Sequence, residues 1–155
     1  MIALITAGVV YAEPPAPAEL LPELRKGGYV LFIRDPKTNP DQADTHPLHL
    51  DNIQAQRQLS DEGRQQATAL GEAFRALKLP VDKVISSKFY RAQEAAKLLD
   101  IGEVTASVDV TEGGLVVSPR ENERRAKALR ELLSTAPTSR RLGLWLTRLA
   151  RISAT

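Results

Sequence analysis

The chain has 155 residues, 43% hydrophobic and 26% charged, with a formal charge of +2 and a sequence pI near 9.0. That is enough for one domain around a single core and too polar for stable membrane insertion, so one soluble α/β domain is the expectation. The absence of cysteine excludes disulfides, thiol nucleophiles and thiolate metal sites.

Residues 1–12 form an apolar run, too short to span a bilayer but suited to the core of a secretory signal, with Val10 and Ala12 as small residues before a cleavage point. No Lys or Arg precedes Arg25, so a basic leading region is missing from this segment. The reading is a signal-peptide remnant on a periplasmic or secreted protein; the alternative is a cytoplasmic protein with an irregular leader. Residues 13–23 carry Pro14, Pro15, Pro17 and Pro22 and are expected to be a spacer, because proline removes backbone donors. The folded domain is expected over 24–138.

Gly28 to Ile33 is a near-continuous apolar run, the pattern of a central strand buried on both faces of a parallel sheet. Residues 35–58 are polar, contain Pro36, Pro40 and Pro47, and predict a long functional loop. Ser60, followed by Asp61 and Glu62, predicts a helix start, with Ala67, Leu70, Ala73, Phe74 and Leu77 facing the sheet. Leu79-Pro80 stops it. A second strand is expected over Val81 to Ile85, a helix over Phe89 to Leu99 with Ala95, Leu98 and Leu99 inward, and an edge strand within Val104 to Val110.

Ser118-Pro119-Arg120-Glu121 predicts another helix, to about Leu133. The basic excess lies late, at Arg120, Arg124, Arg125, Lys127, Arg130, Arg140, Arg141, Arg148 and Arg151. Trp145 is the one aromatic residue among these charges and no nucleic-acid motif appears, so they read as a solvated helix face and an irregular tail, and no nucleic-acid partner is expected. The alternation of strands and helices predicts a three-layer sandwich, a mostly parallel central sheet flanked by helices, with ligands at the carboxyl ends of the strands.

Chemistry concentrates where two apolar segments run into arginine-bearing loops: Ile33-Arg34-Asp35-Pro36-Lys37-Thr38 and Ser86-Ser87-Lys88-Phe89-Tyr90-Arg91. A guanidinium is a planar fork of donors matched to phosphate oxygens, and two of them could clamp one phosphoryl group. With Gln56-Arg57-Gln58-Leu59-Ser60-Asp61-Glu62-Gly63-Arg64 between them, these blocks resemble the histidine phosphatase (phosphoglycerate-mutase-like) superfamily, its periplasmic-type branch included, over about residues 27–134.

The resemblance implies phosphomonoester hydrolysis through a phosphohistidine, without a cofactor. It implies phosphate contacts from Arg34, Thr38, Arg91 and Ser87, with Ser86 beside it, and places Asp35 at the nucleophile position, where the family has histidine. Glu112 is the candidate proton donor. Asn52, Gln56 and Arg57 resemble a loop lining the substrate entrance. The implied partner is a phosphorylated small molecule or inorganic phosphate; nothing in the residues specifies an oligomeric state.

Asp35 in place of histidine implies impaired turnover, and leaves a non-catalytic phosphate-binding module or an inactive product of a disrupted frame as alternatives. His46 and His49, with Asp41, Asp44 and Asp51, have no diagnostic metal spacing and read as exposed loop residues, so no metal site is expected. The family's second histidine has no counterpart in residues 139–155, which are expected to be an irregular tail. If Leu146 is encoded by CTC, reading Trp145-Leu146-Thr147 one base out of register gives an apolar residue, Ala and His, so a frameshift near residue 140 is one reading. The other is a truncated C-terminus with Leu142, Trp145, Leu149 and Ile152 on one amphipathic face.

Overall fold

The computed structural model describes residues 17–113, 116–135 and 142–146. Helix α1 spans Pro17–Lys26 and overlaps the expected proline-rich spacer. Pro17 is compatible because the first helical position has no intrahelical use for an N–H. Pro22 lies inside the helix and removes one bond there. Arg25 fastens the helix, its Nε donating to Leu77 O at 3.0 Å. Gly27 and Gly28, at φ of 74° and 83°, then turn the chain into strand β1, Val30–Ile33.

The remaining elements are α2 (Asp61–Ala76), β2 (Val81–Ser87), α3 (Tyr90–Leu99), β3 (Glu103–Ser107), α4 (Pro119–Ser134) and β4 (Leu142–Leu146). All described strand pairs are parallel, in the order β1-β4-β2-β3. Two expectations are corrected by this order. Strand β1 is not central: among the described residues it pairs with β4 alone and its four residues are only partly buried. Residues 142–146, expected in an irregular or amphipathic tail, form a strand paired on both sides, Leu144 lying opposite both Leu31 and Val84. The run Leu-Gly-Leu-Trp-Leu carries no charge, which suits an interior strand position despite the arginines around it.

Period-two alternation along β1 and β2 divides the core. Leu31, Ile33 and Val84 meet α2 and α3 through Leu59, Ala67, Phe74, Ala95, Ala96 and Leu99, while Val30, Phe32 and Ile85 meet Val110, Leu129 and Leu132 on the α4 side. The result is the expected sandwich of helices, parallel sheet and helix. Ser60 and Ser118 cap α2 and α4 as predicted, accepting from the Gly63 and Glu121 N–H groups.

The inner face of α2 differs from its apolar pattern. Ala73 and Leu77 are exposed, and Gly63 and Gly71 are buried with Ala67 and Phe74. Among the described strands β3 lies at an edge, and it is followed by a single 3₁₀ turn at Val108–Val110. Among the described residues, no helix is long and apolar enough to cross a membrane.

Candidate functional site

Parallel strands put their carboxyl ends on one edge of the sheet, and the register sets Ile33, Leu146 and Ser86 level there. Arg34 and Asp35 follow Ile33. Arg91 stands in the first turn of α3, after β2. The start of that helix is fixed by side chains, because Phe89 at its cap position offers none: Ser87 Oγ accepts from the Phe89 N–H at 3.1 Å, and Gln56 Oε1 accepts from the Tyr90 N–H at 2.7 Å.

Arg91 is only 1% exposed, and its guanidinium is engaged by two carboxylates. Nε donates to Asp35 Oδ2 at 3.0 Å and Nη1 to Asp44 Oδ1 at 2.8 Å, with a longer contact from Nη1 to Arg57 O at 3.5 Å. The guanidinium carbon lies 4.2 Å from the centroid of the Phe89 ring, a cation–π contact. Asp35 is itself buried, its side chain 8% exposed. The trio thus has two negative charges for one positive. Charge-assisted bonds of this kind hold a buried cation firmly, and removal of the cation would leave the buried Asp35 carboxylate and the partly exposed Asp44 without it.

The two predicted clamp arginines therefore differ. Arg34 is exposed, makes no ion pair with another described residue, and lines a pocket of about 270 Å³ with Asp35, Pro36, Gln66 and Leu70. The predicted phosphate residue Ser87 is buried and holds the Phe89 N–H, and Thr38 forms an isolated antiparallel bridge with Leu59. Ser86 Oγ is buried without a hydrogen-bond partner among the described residues.

Of the expected entrance residues, Gln56 is internal. It is 3% exposed, donates through Nε2 to Leu50 O at 2.6 Å, and ties the long loop to α3. Asn52 caps the short turn Ile53–Ala55 and lines an open groove of about 570 Å³ with Leu48, His49, Asp51 and Lys88. Arg57 enters the cluster through its backbone, its N–H donating to Asp44 Oδ1 at 3.0 Å.

Glu112, the candidate acid, is partly buried and follows Thr111, whose Oγ1 accepts from the Lys88 N–H at 2.8 Å. That bond ties the residue before Glu112 to the loop after β2. Asp44 is the residue whose place at Arg91 the sequence did not reveal. It is 47 positions from Arg91, and its only signal was membership of the long polar loop. His46 and His49 meet edge to face at 6.5 Å, and the described residues contain no group of three or more His, Asp or Glu placed to hold a metal ion.

Residues 49–113 match the histidine phosphatase superfamily, branch 1. The matched segment contains Gln56, Ser87, Arg91 and Glu112, and begins after Arg34 and Asp35. No curated protein sequence matches the chain. Among solved structures, the fold is similar to a candidate alpha-ribazole-5′-P phosphatase from Escherichia coli K-12, at TM-score 0.58 and 15% identity over 79% of this chain and 74% of that one. It is similar to the mycobacterial glucosyl-3-phosphoglycerate phosphatase at TM-score 0.52 and 17% identity, over 77% and 73%. A candidate phosphohistidine phosphatase SixA from Nakamurella multipartitia gives TM-score 0.51 and 19% identity, over 79% of this chain; the chain spans 59% of that protein's length.

Proposed function

We propose that this chain is a phosphomonoester-hydrolase scaffold of the histidine phosphatase type with an impaired phosphoryl-transfer site. The observation that carries the reading is the 3.0 Å bond between Arg91 Nε and Asp35 Oδ2. The side chain at the nucleophile position is an anion that occupies the cation a phosphate would need. A carboxylate can accept a phosphoryl group, but here its attack would have to overcome repulsion from the phosphate and the loss of its own bond to Arg91. Losing a nucleophile lowers turnover by about 10⁴- to 10⁶-fold.

The test is hydrolysis of p-nitrophenyl phosphate by wild type and Asp35→His. A neutral imidazole releases Arg91 Nε and restores a nucleophile, so the variant should hydrolyse the ester well above wild type. The gain should stay incomplete, because His46 and His49 both lie in the 35–58 loop and neither follows a strand. A missing charge-stabilising donor costs about 10²- to 10³-fold in rate. Faster hydrolysis by wild type would overturn the reading and make Asp35 the phosphoryl acceptor.

Arg34, exposed and without an ion pair among the described residues, supports a second reading as a non-catalytic phosphate-binding module. Phosphate binding without hydrolysis in both proteins would favour it. Export is a further proposal, resting on the apolar segment 1–12, which lies outside the described residues; N-terminal sequencing of a secreted product beginning at Glu13 would support it, and recovery of uncleaved cytoplasmic protein alone would count against it.

A further inference from the structure

The loop from Asp35 to Gln58 is stitched to itself. Thr45 N–H donates to Ala55 O at 2.9 Å, Asn39 N–H to Gln58 O at 3.0 Å, and Gln58 N–H to Gln42 Oε1 at 2.9 Å. It therefore moves in pieces of several residues rather than one at a time. It is attached to α3 by Gln56 on the Tyr90 N–H and, at Arg91, by Asp44, Asp35 and the longer contact from the Arg57 carbonyl. Asp44 is the more exposed of the two acids on Arg91, 21% against 8% for Asp35, and it lies well inside the loop, whereas Asp35 lies two residues after β1. One oxygen, Asp44 Oδ1, accepts from both Arg91 Nη1 and the Arg57 N–H. Withdrawing it from the guanidinium thus disturbs the closure of the loop as well.

We propose that Asp44 is a built-in occupant of the anion position at Arg91, and that it determines which external anions reach that guanidinium. The proposal rests on the reading of Arg91 as the phosphate-binding cation. A doubly charged tetrahedral oxyanion cannot share Arg91 with both Asp35 and Asp44, because like charges within about 4 Å oppose each other strongly at the effective dielectric of a protein. Asp44 is the acid that can leave, and the segment around Arg57 loosens with it. Occupancy of Arg91 by an oxyanion and closure of the loop by Asp44 exclude each other.

The experiment is calorimetric titration of the whole chain with inorganic phosphate and with vanadate, for wild type, Asp44→Asn and Arg91→Ala. Asp44→Asn keeps an oxygen for the Arg57 N–H and removes only the charge, so its affinity should exceed wild type by roughly tenfold or more. In parallel, saturating phosphate should accelerate hydrogen exchange of the Arg57 amide in wild type. Equal affinity in wild type and Asp44→Asn, with weaker binding by Arg91→Ala, would overturn the role of Asp44 and leave Arg91 as the phosphate cation. Equal affinity in wild type and Arg91→Ala, or no binding by wild type and Asp44→Asn alike, would overturn both. Should Asp44→Asn fail to fold, unchanged Arg57 protection in phosphate-saturated wild type would overturn the proposal, and faster exchange would support it.

Discussion

Gly63 lies so close to the Lys37 backbone that a β-carbon on it would stand 1.9 Å from the Lys37 carbonyl oxygen. Gly71, two turns further along the same helix, stands in the same relation to Leu99 O. These contacts let α2 approach both the loop after β1 and the end of α3. They also hold Lys37, and with it the chain leading away from Asp35, against the start of the helix; the Lys37 N–H donates to Gln66 Oε1, and its carbonyl accepts from the Ser60 N–H.

Gly63→Ala should therefore destabilise the protein. In an open helix the change would stabilise by about 1 kcal/mol. Here the added methyl meets a backbone oxygen that cannot rotate aside, and overpacking of this kind costs about 1–3 kcal/mol. Urea denaturation measures the balance; an unchanged or higher midpoint would refute the close approach.

The two arginines that read alike in the sequence should behave differently on truncation. Arg91→Ala removes a fully buried guanidinium from the buried Asp35 and the partly exposed Asp44 and should cost about 3–5 kcal/mol. Arg34 is exposed, so Arg34→Ala should stay within about 0.5 kcal/mol of wild type. Similar small effects from both substitutions would contradict the arrangement around Arg91.

Gln56→Ala should remove one of the ties between the long loop and α3. It strands the Tyr90 N–H and Leu50 carbonyl, and a buried group left without its partner costs about 1–3 kcal/mol. Hydrogen exchange at the Tyr90 amide should accelerate alongside the loss of stability. An unaltered exchange rate would mean that another group holds that N–H.

Acid should loosen the start of α4. Hydrogen bonds from Arg124 and then Arg125 hold the Glu121 carboxyl down at about 2. A carboxyl depressed by folding adds stability above its unfolded value, about 4.3, and that stability is lost as the pH falls through the folded value. Wild type should thus be more resistant to urea than Glu121→Gln at pH 6, with the difference narrowing below about pH 4.3 and largely lost by pH 2. A difference undiminished at pH 2 would show that Glu121 acts by packing rather than charge.

Much of the layering was legible because it rests on local signals: apolar runs of strand length, and serine caps at Ser60 and Ser118 ahead of periodic helices. What was illegible depends on distant partners. Strand β4 was hidden because a five-residue apolar run among arginines reads equally as strand or amphipathic turn, and only pairing with both β1 and β2 decides it. The glycine face of α2 was missed because a hydrophobic pattern counts side chains, whereas Gly63 and Gly71 contribute by lacking one. At the site, Arg91 was recognised by its motif, but its partner Asp44 lies across the chain in a loop with no periodicity, where nothing local distinguishes it from Asp41 or Asp51.

The insertion of β4 between β1 and β2 has a kinetic consequence. Among the described residues β1 pairs with β4 alone, Val30 lying opposite Gly143, so this sheet partner exists only once nearly the whole described chain has been synthesised. The β2–α3–β3 unit can assemble earlier from residues close in sequence, whereas β1 must wait through the closure of a very long loop, and such distant pairings form slowly. A ribosome adding about 5–20 residues per second leaves Leu31, Phe32 and Ile33 without their sheet partner for several seconds. During that interval an apolar strand edge is open to other chains, and the hydrophobic segment that ends at Arg34 becomes the point at which a chaperone would matter most.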